Sequence, residues 1–232
     1  KRLEEKGVAT VAQLRNADLK TIRREFSVVL ERTVMELRGV SCLDLEEVAP
    51  DKQQIMSSKS FGQPIYDLAE LEEAVASYTS RAAEKLRRQH HVAGGVLVLI
   101  QTNPFKPDEP QYYPSISVPL VTPTSDTRGL IEAAFKGLRR IYRQGYAYKK
   151  AGIMLVELGP EGQQIQSDLF AKPASPEAKK LMAVMDTLNN RFGRGTLRIA
   201  AEGIQKDWQM KRGRMSPRYT TEWKHLIRAR AT

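Results

Sequence analysis

Few side chains in this sequence stand where catalytic chemistry would need them. His90 and His91 are adjacent, so on a helix or a strand they diverge and do not form a two-ligand metal face. His225 is alone, and Cys42 has no Cys or His at ligand spacing. Asp108-Glu109 is a carboxylate pair, but Pro107 and Pro110 flank it, which describes a solvated loop. Two-metal phosphoryl transfer needs several carboxylates converging on rigid strands, and no such set is visible. Gly193-Arg194-Gly195 is too short for a phosphate loop, and G-x-x-x-x-G-K-[ST], G-x-G-x-x-G and G-x-S-x-G are absent. These 232 residues are expected to catalyse nothing by themselves and to hold no cofactor.

The residues suit binding better. A net charge of +10 favours a polyanion, nucleic acid first and an anionic membrane second. No apolar run approaches the ~20 residues of a membrane span. The longest, Val96 to Ile100, reads as a buried strand. A single cysteine excludes an intrachain disulfide and suits a reducing cytosol, and no signal peptide is evident, so a cytoplasmic location is expected. Lys1 opens directly into a helical pattern with no initiator Met, which reads as part of a longer protein. The last thirty residues carry eight basic side chains against Asp207 and Glu222, with Trp208, Tyr219 and Trp223 interleaved. That pattern suits single-stranded nucleic acid or a protein groove. It equally suits a small helical appendage whose tryptophans pack on itself.

The elements that must position these residues follow from periodicity. Residues 1 to 41 read as helical, with a turn at Gly7 and a helix from the cap Asp18 through Leu19, Ile22, Phe26, Val29 and Leu30 to Val34–Leu37. Residues 43–56 read as a linker around Pro50. Then come a strand at Lys59–Tyr66, a helix at Leu68–Arg88, strands at Gly95–Gln101 and Ser115–Val121, a helix at Thr127–Gln144 capped by Asp126, and a strand at Ile153–Leu158. The order β-α-β-β-α-β predicts an α+β domain, a four-stranded and mostly antiparallel sheet with both helices on one face. In the third strand Ile116, Val118 and Leu120 share one face while Ser115 and Ser117 share the other, so one sheet face is expected to be open, and Pro119 marks an edge or a bulge. Both helices start acidic and end basic, which matches the helix dipole, with some basic ends available to phosphates. A further helix is expected over Pro176–Phe192.

Gln166-Ser167-Asp168-Leu169-Phe170 sets two large apolar side chains in a stretch flanked by Gly162, Pro173 and Pro176. Either they pack back on their own domain or they are meant for another protein.

Together these stretches resemble the C-terminal half of a UmuC-like Y-family translesion DNA polymerase. Leu3-Glu4-Glu5-Lys6-Gly7-Val8-Ala9-Thr10-Val11 resembles the helix–hairpin–helix of the thumb, followed by VVLERTVMELRGVSC. SSKSFG at 57–62, SYTSRAAEKLR at 77–87 and VPLVTPTSDTR at 118–128 resemble the little finger domain. QSDLF resembles a sliding-clamp-binding peptide, with Ser167 where Leu is frequent, and VMDTLNNRFGRGTL and WQMKRGRMSPRYTT resemble the family's C-terminal extension.

The resemblance implies a thumb fragment at 1–42, a little finger DNA-binding domain at 57–159, a flexible segment with the clamp peptide at 160–175, and a mostly helical, basic extension at 176–232. It implies duplex DNA as partner, held without reading sequence. Gly7 and Val8 would grip phosphates through backbone N–H groups, and Ser58, Ser60, Ser115 and Ser117 would let the sheet backbone come close. Lys59, Lys149 and Lys150 would add charge. Gln166 to Phe170 would bind a bacterial sliding clamp, with roughly micromolar affinity, about −8 kcal/mol. A UmuD-type partner subunit and a recombinase filament are further implied partners. The family's activity is template-directed, error-prone nucleotide addition opposite damaged bases in SOS mutagenesis, using Mg2+ on palm carboxylates. Those carboxylates are not in this sequence, so the activity is implied for the intact protein. Two other readings remain: an interaction module that binds such a protein partner with DNA contact incidental, and an RNA-binding domain. The second needs exposed aromatics on the central strands, and Val96–Ile100 has none.

Overall fold

The computed structural model describes residues 2–43, 51–162, 175–210, 213 and 215–227. They fall into two units, Lys1–Pro50 and Asp51–Thr232. In the first, side-chain caps decide where each helix starts. A short 3-10 turn, Glu4–Lys6, ends at Gly7 with φ 78°. Thr10 and Gln13 form a reciprocal capping box at α1, Val11–Asn16. The Asp18 carboxylate accepts from Thr21 N–H at α2, Leu19–Glu25, and that backbone bond is the leading cause holding its pKa below the ordinary value. Ser27 accepts from Leu30 N–H at α3, Val28–Leu37. The single helix expected over 19–37 is therefore two helices. Ser27 is extended, at φ −168°, and its hydroxyl replaces the backbone bond that a continuous helix would make. Arg38 closes α1 by donating to the carbonyls of Arg15 and Ala17 at 2.7 and 2.5 Å. Ile22 and Val34 are buried.

The second unit begins with the expected β-α-β-β-α-β order: β1 Ile55–Ile65, α4 Leu68–Arg88, β2 His91–Thr102, β3 Ser115–Thr124, α5 Thr127–Ile141 and β4 Tyr148–Pro160. The strands lie in the order β1-β4-β2-β3, every neighbour antiparallel. β1 starts inside the stretch expected to be linker, and β2, β3 and β4 run longer than expected. Serines, lysines and glycines there have weak strand propensity, and pairing to a neighbour overrides it. β4 lies between β1 and β2, so Ser57 is held against Ile153 and Gly159 against Val92. Pro119 lies on the edge strand β3, where a missing N–H costs no ladder bond.

Alternation then sorts the side chains. Val96, Val98 and Ile100 of β2, Ala151, Ile153 and Leu155 of β4, and Ile55 of β1 face the helices. Leu71, Val75, Tyr78, Ala82 and Leu86 of α4 recur every three or four residues and cover them, beside Leu130, Ala134 and Leu138 of α5. Asp126 caps α5 by accepting from Arg128 N–H.

Beyond the sheet, α6 spans Pro176–Phe192, with Ser175 as cap and proline in its first turn. Among the described residues after it, helical structure is limited to two 3-10 turns, Ala200–Glu202 and Trp223–His225. This extension docks on α4 and β1. Asp186 of α6 takes a two-pronged bond from Arg87 at 2.6 and 2.7 Å, and Arg87 also donates to Ser125 O and Thr127 Oγ1. Trp208, 4% exposed, joins the core edge-on to Phe61 and Tyr78. Its carbonyl accepts from Gly62 N–H at 2.9 Å. Of the two tryptophans, one thus packs on the sheet module rather than on the tail, while Trp223 is 87% exposed.

Candidate nucleic-acid interface

The sheet face away from the helices is read off the strand registers. One row runs Ser115, Leu99, Gly152, Ser58 across β3, β2, β4 and β1. The next runs Ser117, Leu97, Met154, Met56. Gln101, Lys150 and Ser60 form a third. Serines and Met56 stand on the edge strands, while the inner strands present Leu97, Leu99 and Met154 and, one row on, Gln101 and Lys150. Gly152 fixes how closely β1 and β4 approach, since a Cβ there would lie 2.5 Å from the Ser58 Cβ.

The structure brings Ser58, Ser60, Ser115, Ser117 and Lys150 together on this face. Lys59 lies on the other side of β1, opposite Ala151 in the helix-covered row. Lys149 sits where the registers of β1 and β2 shift, and its ammonium donates to Phe61 O at 2.6 Å and Gly62 O at 3.4 Å. It holds the β1 irregularity closed. Of the three expected lysines, one therefore faces the open sheet. Gly7 and Val8 are in the other unit, and their amides already donate to Glu4 O and Leu3 O, each at 2.9 Å. A phosphate there would compete with the turn's own bonds. Gln166, Ser167, Asp168, Leu169 and Phe170 lie outside the described residues.

The ordered helix charges are mostly spent within the fold. Arg139 meets Glu72 at 2.6 Å, Arg88 meets Glu84 at 2.6 Å, Lys136 meets Glu132 at 2.9 Å, and Arg143 lies over the Tyr112 ring. The shifted pKa values are structural too. Burial pushes the Tyr78 hydroxyl far up and is the leading cause of the rise at Tyr148. At Asp126 burial acts upward, but the side-chain and backbone bonds from Arg128 outweigh it and hold the carboxyl low. Among the described residues no three His, Cys, Asp or Glu side chains gather as a metal site. Nor is any helix among them long and apolar enough to cross a membrane.

Two features lie beyond what local sequence patterns of alternation and helical spacing predict. The apolar middle of the open face was signalled by the unbroken run Gly94 to Ile100, since a strand apolar at consecutive positions is covered or used on both faces. The Arg87–Asp186 join had no local signal, because the partners are 99 residues apart.

A split β-α-β-β-α-β sheet with one open face and a docked C-terminal extension defines the class. Residues 52–169 match the model of the impB/mucB/samB family C-terminal domain, and residues 179–229 match a domain of unknown function, DUF4113. The chain belongs to the impB/mucB/samB family, as a C-terminal UmuC-like region of the Y-family type. It is 46% identical to Protein UmuC of Salmonella typhimurium over 99% of this chain and 54% of that protein. It is 42% identical to Protein SamB of Salmonella typhimurium over 100% of this chain and 54% of that protein. DNA polymerase IV of Desulfatibacillum aliphaticivorans is 26% identical over 84% of this chain and 48% of that protein. The chain spans about half the length of the curated relatives it matches.

Proposed function

We propose that this chain is the part of an error-prone translesion DNA polymerase that holds DNA and tethers the enzyme to a sliding clamp during SOS repair. The observation that carries the reading is the open sheet face, with Ser58, Ser60, Ser115 and Ser117 on its edge strands and Lys150 on the inner strand β4. Small hydroxyls and exposed backbone can follow a phosphate backbone without reading bases, which suits a template whose bases are damaged. In this reading residues 57–159 are the little finger, residues 1–42 a thumb fragment, and Gln166 to Phe170 the clamp peptide. Nucleotide addition belongs to the palm of the whole protein, and its Mg2+ is held there.

Two measurements test it. Duplex affinity should fall steeply with salt, by the same factor for unrelated sequences; a flat salt profile contradicts DNA holding. Binding to a purified bacterial clamp should be micromolar and lost in the Leu169→Ala/Phe170→Ala variant; equal binding by both removes the tether. A second reading, a protein-interaction module for a partner subunit or recombinase filament, is favoured by the exposure of Trp223 and Ile227 beside Arg218 and Lys224 in the extension.

A further inference from the structure

A cavity of about 450 Å3 lies where the extension meets β1 and α4. Lys59 and Ser60 come from β1, Ser77, Tyr78 and Arg81 from α4, and Trp208 from the extension. Each of these side chains can donate a hydrogen bond, and no carboxylate lines the space. Lys206 adds a further cation at the wall, 2.9 Å from Ser77 Oγ and 5.9 Å from the Trp208 ring, with Glu202 as its partner at 3.4 Å. Two donors here are buried with no hydrogen-bond partner: the Tyr78 hydroxyl and Trp208 Nε1. Those two atoms lie behind the wall, and the ammonium and guanidinium groups of Lys59 and Arg81 can only donate, so a ligand in this cavity must bring acceptors.

The volume exceeds that of a single small ion and falls in the range of small-molecule clefts, about 300–1,000 Å3. A phosphate has more acceptor oxygens than a carboxylate and matches a wall of ammonium, guanidinium and hydroxyl groups. The position also fits. β1 is an edge strand, and its Ser60 stands in register with Lys150 and, through it, Gln101 on the open face. A backbone passing over that margin would bring a phosphate to the cavity mouth.

We infer that this seam is a phosphate-binding site built jointly by β1, α4 and the extension, and incomplete without the Trp208 segment. The phosphate is either one in a nucleic-acid backbone or one on a free nucleotide. The inference does not depend on DNA lying across the open face, because the site's own residues define it.

The test uses the whole chain carrying Trp223→Phe, which leaves Trp208 as the sole tryptophan signal. Inorganic phosphate, deoxythymidine monophosphate and a short oligothymidine are titrated at constant ionic strength, with acetate as control. The inference expects a saturable change in Trp208 emission, with affinity at least tenfold weaker in the exposed variant Arg81→Gln. Saturation by the oligonucleotide alone assigns a backbone phosphate; saturation by the monophosphate too assigns a free one. No saturable change with any phosphate probe, an equal response to acetate, or unchanged affinity in Arg81→Gln overturns it. Lys150→Glu keeps the two ideas separable: it should leave the inorganic phosphate response intact whatever it does to duplex binding.

Discussion

Replacing Trp208 by alanine tests whether the extension and the sheet module share one core. The indole is 4% exposed and meets Phe61 and Tyr78 edge-on, with ring centroids 5.9 and 5.8 Å away. Burying it removes about 150–250 Å2 from water, which at about 25 cal/mol/Å2 is roughly 4–6 kcal/mol as an upper bound. The unpartnered Nε1 offsets about 1–3 kcal/mol of that. A net near 3 kcal/mol agrees with the lower end of the about 3–5 kcal/mol seen when buried aromatics become alanine. If the core is shared, that loss must appear far from the substitution. Hydrogen exchange of the β2 amides Val96 to Ile100 should quicken about a hundredfold, since about 1.4 kcal/mol is a factor of ten. A change below about fivefold in β2, with fast exchange confined to residues near Trp208, would show that the two parts do not share a core. The segment would then detach by itself, and its indole would not be part of the core.

Three further outcomes follow from named contacts. Asp186→Ala should cost about 2 kcal/mol in a urea melt, because Arg87 is only 12% exposed at its side chain and loses both prongs. Arg87→Met with Asp186→Leu should recover most of it. The Asp126 carboxyl is lowered in the fold, so its contribution is complete above its ordinary value of 3.8 and is lost as pH falls through its folded value. Asp126→Asn should therefore flatten the acid limb of a melting-temperature profile below about pH 4 and not above it. Gly152→Val should loosen the β1–β4 pairing by about 1–3 kcal/mol, visible as faster exchange in β1, because its Cβ would press on Ser58.

What was legible in the sequence was the local part. The bounds of α4 and α6 follow from apolar spacing, and the caps Asp18 and Asp126 have their mechanism in two or three neighbouring residues. The two faces of β3 follow from strict alternation. The break at Ser27 was missed because apolar residues on both sides kept helical spacing, while a single hydroxyl set the boundary. Lys59 and Lys149 looked like two free charges beside the serines. Only the register shows that one is on the helix side and that the other is consumed by the carbonyls of Phe61 and Gly62. Trp208 read as part of a basic aromatic tail; its partners Phe61 and Tyr78 are more than a hundred residues earlier, and no local pattern encodes that contact.

Two charge reversals test directly whether DNA is held on the open sheet face. Lys150→Glu and Lys136→Glu change net charge equally, but Lys150 is on the open face, while Lys136 is on α5, on the opposite side of the sheet. If DNA lies on this face, Lys150→Glu weakens duplex binding at least tenfold and lowers the log–log salt slope by about 1, whereas Lys136→Glu changes affinity less than about twofold. Equal losses from both would mean that total charge, not this face, attracts the DNA.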